Sequence, residues 1–238
     1  MAPGESILSV HNLTIAFGRH TILENVSFEA QAGDCLAVIG PNGAGKTLLL
    51  KALLHLIPCR GEIRWAPGTR IGYVPQKVAA DRQLPLRLQD FLDAKIAFQK
   101  LPPADLNRVA SAVGLAPEIL DAGIGLLSGG QFQKALIAFA LLGEPNALLF
   151  DEPTASLDEL AEENIYELLH SLQRDRGMTV ILVSHDISVV YRYASRVLCL
   201  SKGTPCMGAP REILTPAMLQ DLYGTPPRFY RHHPAERG

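Results

Sequence analysis

Three short stretches of this sequence carry residue types whose spacing suits phosphate chemistry. The first is GPNGAGKT, which fits the pattern G-x4-G-K-[ST]. Its loop residues Gly40, Pro41, Asn42, Gly43, Ala44 and Gly45 form a cradle. The glycines let the backbone curl until successive N–H groups face phosphate oxygens, and a following helix adds positive potential. Lys46 is placed to reach β- and γ-phosphates, and the Thr47 hydroxyl to ligate Mg²⁺. The second stretch is ALLFDEP, in which an apolar strand delivers Asp151 and Glu152 at its C-terminal end, where ligands of α/β folds bind. Asp151 suits the metal shell and Glu152 is placed to polarise an attacking water. The third is LSGGQ, where Ser128 is a good N-cap and Gly129 and Gly130 expose N–H groups ahead of Gln131. Singly, the acids could be a solvated strand end and LSGGQ a plain helix start. Beside the phosphate loop they read as one apparatus for a nucleoside triphosphate.

That apparatus needs particular elements beneath it. ILSVHNLTIAF, Ile7 to Phe17, alternates apolar and polar residues as a half-buried strand does, and Ile22 to Phe28 reads as a second strand. CLAVIG is a buried strand running straight into the phosphate loop, and a helix is predicted from Lys46 to about Leu56, broken by Pro58 and Gly61. GEIRW and RIGYV add two short strands. Beyond Gln76 strand signals vanish, and helices are predicted near Leu88–Phe98, Ala104–Val113 and Gly130–Leu142. Strand and helix then alternate: ALLFD, a helix near Asp158–Arg174, TVILVS, a short helix after Asp186, and RVLCLS. The pattern is an α/β core around a mainly parallel sheet, interrupted by a helical insertion.

Composition narrows the classes further. The chain has 238 residues, 47% of them hydrophobic and 19% charged. With 22 Lys and Arg against 24 Asp and Glu, the net charge is −2, and nothing marks a nucleic-acid binder. A mean hydropathy of +0.13 is high for a soluble protein. Yet the longest unbroken apolar run, Ala135 to Leu142, falls far short of the roughly 20 residues a spanning helix needs. The N-terminal MAPGESILSVHNL lacks the basic and apolar regions of a secretory signal. Cys35, Cys59, Cys199 and Cys206 form no CxxC pair and read as small buried or incidental thiols.

The three motifs together make the chain resemble the nucleotide-binding subunit of ATP-binding cassette (ABC) transporters over nearly its whole length. The resemblance also takes in Gln76 in YVPQ, Asp158 in ASLD, His185 in VSHD and Phe17, where the family places an aromatic on adenine. It implies a P-loop NTPase core of the ABC ATPase type, with a mainly parallel sheet, an N-terminal antiparallel β region and a helical subdomain. On this reading residues 1–75 and 143–225 are the catalytic core, 76–142 the helical signature subdomain and 226–238 a tail. The cofactors implied are ATP and Mg²⁺, the metal held by Thr47, Asp151 and Gln76. Glu152 activates water, His185 senses the γ-phosphate, Lys46 binds it, and Gln76 links metal, water and the membrane partner.

The family also implies a second copy of the chain, paired head to tail so that each LSGGQ closes over the other's ATP. An integral membrane permease and, indirectly, an extracytoplasmic metal-binding protein are the further partners, at the cytoplasmic face of the inner membrane. IGYVPQK with Asp81-Arg82 and LPLRLQDFL, then VLCLSKG, Cys206, Gly208, Pro210, Leu222-Tyr223-Gly224 and YRHH, are similar to ATPases of zinc, manganese and iron importers. Importers of siderophores, vitamins or other solutes, and a soluble ABC ATPase without a membrane partner, are the alternatives. Three positions depart from the family pattern. Leu48 stands where a second hydroxyl residue is usual, and Phe132 and Phe139 replace residues that are commonly basic. The two phenylalanines read as core packing, and His232-His233 as a solvated tail.

Overall fold

The computed structural model describes residues 4–76, 85–152, 159–201 and 205–224. Asp158, Asp81-Arg82 and His232-His233 lie outside them. The chain opens on two long strands, β1 (Ser6–Phe17) and β2 (His20–Gln31), which pair antiparallel, with β4 (Arg60–Trp65) on the other side of β1. Alternation decides which face of β1 goes in: Val10, Leu13 and Ile15 are fully buried while His11 and Asn12 face out.

A second sheet carries the chemistry. Its order is β5 (Ile71–Val74), β6 (Ala147–Asp151), β7 (Thr179–Val183), β3 (Cys35–Ile39), β8 (Arg196–Cys199) and β9 (Cys206–Gly208). All pairings are parallel except β8 with β9. Every residue of β3, β6 and β7 is buried, as expected of parallel strands covered on both faces. Between them run α1 (Lys46–Leu53), α6 (Glu159–Arg176) and α7 (Ile187–Tyr193).

The segment after Gln76 is helical: α2 (Leu88–Gln99), α3 (Ala104–Ala112), the short α4 (Pro117–Leu120) and α5 (Gly129–Leu141). Their apolar faces share one core that continues onto Phe150, Val180 and Leu182 of the sheet, while Leu36, Val38 and Leu149 face a second core beneath β1, β2 and α1. A third, smaller core joins Ile39 and Val197 to α9 (Pro216–Tyr223), which follows α8 (Pro210–Ile213).

The sequence reading differs from this in a few places. Helix α1 stops at Leu53 rather than about Leu56, and His55, with φ +56°, turns the chain out of the helix. Strand β9 and helices α4, α8 and α9 are too short to announce themselves by periodicity. The reading of the cysteines as incidental thiols holds for Cys35 and Cys59, which are free. It fails for Cys199 and Cys206, which stand directly opposite in the β8–β9 register and are joined as a disulfide. Without β9 in view, their spacing gave no sign of a hairpin.

Candidate active site

Strand β3 delivers the phosphate loop. Gly40, Gly43 and Gly45 all have positive φ, +152°, +81° and +91°, which only glycine adopts without strain. Gly40 has a second reason to be glycine, since a Cβ there would collide with the carbonyl oxygen of Leu200. Gly45 caps α1 in a left-handed conformation, so Lys46 starts the helix and its first N–H groups face the loop. The Lys46 side chain folds back over that loop, its Nζ donating to the carbonyls of Gly40 at 2.8 Å and Pro41 at 3.2 Å. Burial pushes the ammonium's pKa down, against the opposing pull of Glu152 and Asp151. Among the described residues its hydrogen bonds go to carbonyl dipoles, which leaves the ammonium free to turn to an anion.

Strand β6 ends at the same place. Asp151 is buried, and its Oδ1 accepts from the Thr47 hydroxyl at 3.0 Å. Burial raises the Asp151 pKa, the Thr47 bond lowers it, and the neighbouring Glu152 charge raises it again. One carboxylate beside one hydroxyl fits Mg²⁺, which takes few protein oxygens and leaves the rest of its shell to phosphate and water. Glu152 follows with φ +44°, a left-handed conformation unusual outside glycine, asparagine and aspartate and one that clusters at functional sites. Each of its carboxylate oxygens has a partner: Gln76 Nε2 donates to Oε2 at 2.5 Å, and His185 Nδ1 lies 3.5 Å from Oε1. His185 reaches it from the junction of β7 and α7, where Asp186 caps the helix by accepting from the N–H groups of Ser188 and Val189.

Six predicted residues are thereby brought together: Lys46, Thr47, Gln76, Asp151, Glu152 and His185. Two tyrosines that sequence reasoning missed join them. The Tyr73 hydroxyl is 3.5 Å from Asp151 Oδ2, and burial, reinforced by Asp151, pushes its phenol up to about 12. Burial likewise raises the Tyr223 phenol, and the Glu152 charge adds to it. Tyr73 stands on the strand beside β6, where parallel pairing aligns it with Leu149, a neighbour that only the sheet order reveals. For Tyr223 the sequence offered only the Leu222-Tyr223-Gly224 run, which carried no sign of a place at the site.

Pro41, Asn42, Gly43 and Ala44 line a cleft of about 690 Å³, together with Thr21 to Val26 of β2 and with Leu200, Ser201 and Pro205. Phe17 is 47% exposed at the β1–β2 turn, one residue from Ala16, the register partner of Thr21. The LSGGQ residues lie elsewhere. Ser128 and Gln131 form a reciprocal capping box, Ser128 Oγ accepting from the Gln131 N–H at 3.2 Å and Gln131 Oε1 from the Ser128 N–H at 2.9 Å. Gly129 opens α5, and the Gly130 Cα packs near Ala161. None of the four lines the cleft. Phe132 and Phe139 pack against the helical core as expected, and Leu48 packs against the core beneath β1.

The sheet, the loop at the end of its strand and the paired acids define a P-loop nucleotide hydrolase. Comparison with known proteins places it within that class. Residues 23–155 match the family model described as ABC transporter. A zinc import ATP-binding protein, ZnuC, of Cereibacter sphaeroides is 38% identical over 220 residues, covering 92% of this chain and 89% of that protein. Its namesake in Yersinia enterocolitica is 37% identical over 235 residues, covering 96% and 91%. The structure of a metal-chelate type ABC transporter in an inward-facing conformation superposes with a TM-score of 0.85 at 29% identity, covering 93% and 90%. The chain belongs to the ABC transporter family and is an ATP-binding, ATP-hydrolysing cassette.

Proposed function

We propose that this cassette energises uptake of a divalent metal ion, zinc first and manganese as its nearest rival, through an integral membrane permease. The observation that carries the reading is a complete hydrolytic cluster in a chain whose relatives of near-equal length are named zinc import ATP-binding proteins. In this reading Lys46 leaves its two carbonyls for the β- and γ-phosphates, and the loop N–H groups hold the remaining oxygens. Thr47 and Asp151, with Gln76 close by, would hold Mg²⁺, which would supply charge neutralisation at the phosphates. Glu152 takes the proton of the attacking water as its oxygen bonds to the γ-phosphorus and the bond to ADP breaks. Gln76 and His185 fix that carboxylate, and His185 also faces the γ-phosphate. Phe17 offers its exposed ring to adenine.

Two surfaces support the wider assembly. Tyr73, Phe91, Lys95, Phe98 and Phe139 line an apolar groove of about 590 Å³, with Phe98 87% exposed. We assign it to a cytoplasmic helix of the permease, with residues 76–142 acting as the helical subdomain and Gln76 as its hinge. No helix among the described residues is long and apolar enough to cross a membrane, so the spanning part falls to the partner. The LSGGQ turn, remote from its own cleft, serves the ATP of a second copy. The subunit then sits at the cytoplasmic face of the membrane, below a permease fed by an extracytoplasmic metal-binding protein.

The test is uptake of labelled zinc and manganese by cells carrying the native chain or Glu152→Gln. Zinc uptake lost in the variant, with membrane association kept, supports the reading. Loss of manganese uptake alone moves the substrate, and loss of neither removes transport of these ions. In the purified protein Glu152→Gln should bind ATP normally and hydrolyse it about 10²–10⁴-fold more slowly, the usual loss on removing a general base.

A further inference from the structure

The β8–β9 hairpin carries a feature that ATP hydrolysis does not require. Cys199 ends β8 and Cys206 begins β9; they are register partners with Cα atoms 5.0 Å apart, joined through their sulfurs. The residues just outside the pair form one wall of the nucleotide cleft: Leu200 and Ser201 follow Cys199, and Pro205 precedes Cys206. Leu200 also abuts the phosphate loop itself. Its N–H donates to Ile39 at 2.8 Å, and its carbonyl oxygen occupies the space a Gly40 side chain would need. The covalent tie is therefore anchored next to the loop that receives phosphate. Strand β9 is three residues long and lies at the edge of the described sheet beside β8, with Met207 packed against the core beneath β1 and Gly208 near Ile213.

We infer that Cys199–Cys206 is a reversible thiol–disulfide site whose state sets how tightly the adjoining cleft holds ATP. The inference rests on the cleft being the ATP site proposed above. At the cytoplasmic face proposed above the thiol pool is reducing, and disulfides in such compartments are usually transient, catalytic or sensing. The oxidant is a small-molecule disulfide. Cys206, the half-buried member, loses its proton and attacks one sulfur of that disulfide, expelling a first small thiolate. The buried Cys199, deprotonated in turn, attacks the Cys206 sulfur of the mixed disulfide and expels the second. Two protein thiols are oxidised, one small disulfide is reduced to two thiols, and the two protons go to them.

Of the other cysteines, Cys35 stays out because burial pushes its thiol up to about 12 and the Asp34 charge adds to this. Cys59 is half-buried and free, and is the control. Oxidation ties the Leu200–Ser201 and Pro205 sides of the wall before nucleotide arrives, so less ordering remains to be done on binding. Reduction leaves that ordering to the nucleotide.

The experiment uses the full chain, reduced with dithiothreitol or oxidised with glutathione disulfide. Peptide mapping should find a Cys199–Cys206 link, with loss of two hydrogens in the intact mass, in native protein and in Cys59→Ser. The oxidised form should bind ATP about two- to tenfold more tightly, the range for ordering one side chain. Cys206→Ala and Cys206→Ser should both bind like the reduced protein under either treatment. Glutathione adducts without the internal link, or a link that leaves ATP affinity equal, would overturn the proposal. A link that forms in protein with no ATP binding in any state would instead overturn the reading of the cleft.

Discussion

At the residue scale, the site is governed by where buried charge is left incomplete. Among the described residues Lys46 hydrogen-bonds two backbone carbonyls and Asp151 hydroxyls, so both gain when a phosphate and its metal arrive. Gly40 shows how little room the loop allows. Gly40→Ala places a Cβ against the Leu200 carbonyl oxygen, a backbone atom held in place by the Leu200 N–H bond to the Ile39 carbonyl. We expect this substitution to cost about 1–3 kcal/mol of stability, the usual cost of overpacking, and to lower ATP affinity; thermal unfolding with and without ATP checks both. Leu48 is the opposite case, a position with a group missing. Leu48→Thr restores one hydroxyl towards the α-phosphate and should tighten ATP binding by about 0.5–1.5 kcal/mol, the worth of one hydrogen bond. Because Leu48 also packs against the core beneath β1, affinity must be titrated directly rather than inferred from melting. Equal affinities in the two proteins would show that the α-phosphate has no use for that hydroxyl.

At the element scale, sequence and structure agree wherever one period dominates. CLAVI, ALLF and VILV are apolar throughout, and only a doubly covered strand accommodates that in so few residues. The phosphate loop, the paired acids and the capped LSGGQ helix were legible because each is a local pattern. What was not legible depends on register between distant segments. Tyr73 meets Asp151 only because β5 lies beside β6, and Cys199 meets Cys206 only because three residues of β9 pair with β8. Gly72 is of the same kind. A Cβ there would lie 2.7 Å from the Ala140 carbonyl oxygen and 2.9 Å from Leu148 Cδ1, so the glycine lets β5 and α5 approach. Lys95 marks the packing of α2 on α5. Its Nζ donates to the Phe139 carbonyl at 2.5 Å and lies 4.7 Å from the centre of the Phe139 ring, itself stacked on Phe91. Burial lowers the Lys95 pKa to about 8. Between that value and the ordinary one the unfolded chain holds a proton the folded chain has released, so stability should rise with pH from about 8 to about 10.5. Lys95→Met should remove that rise and add on the order of 1–3 kcal/mol at neutral pH. Denaturant titrations at several pH values check it, and an unchanged slope would mean that the ammonium is fully solvated.

For the whole molecule, two of the exposed apolar places among the described residues bear on assembly. One is the groove that ends in Phe98. The other flanks LSGGQ: Leu126, 86% exposed, precedes it, and Leu160, 71% exposed, adjoins Ala161, which packs against Gly130. Exposed apolar patches of this kind mark surfaces that meet partners, and the raised hydropathy of the sequence is accounted for in part by such residues. If the LSGGQ surface meets a second copy and the groove meets the permease, the two should be separable by substitution. In a Glu152→Gln background, where ATP is held and not consumed, light scattering should report a dimer on adding ATP. Leu126→Glu should abolish that dimer while leaving membrane association intact, because the groove is untouched. Phe98→Glu should do the reverse, releasing the subunit from membranes while the ATP-dependent dimer persists. ATP binding in the monomer should survive both changes, since neither residue lines the cleft. If either substitution abolished both associations without unfolding the protein, one surface would be serving both partners and the division argued here would be wrong.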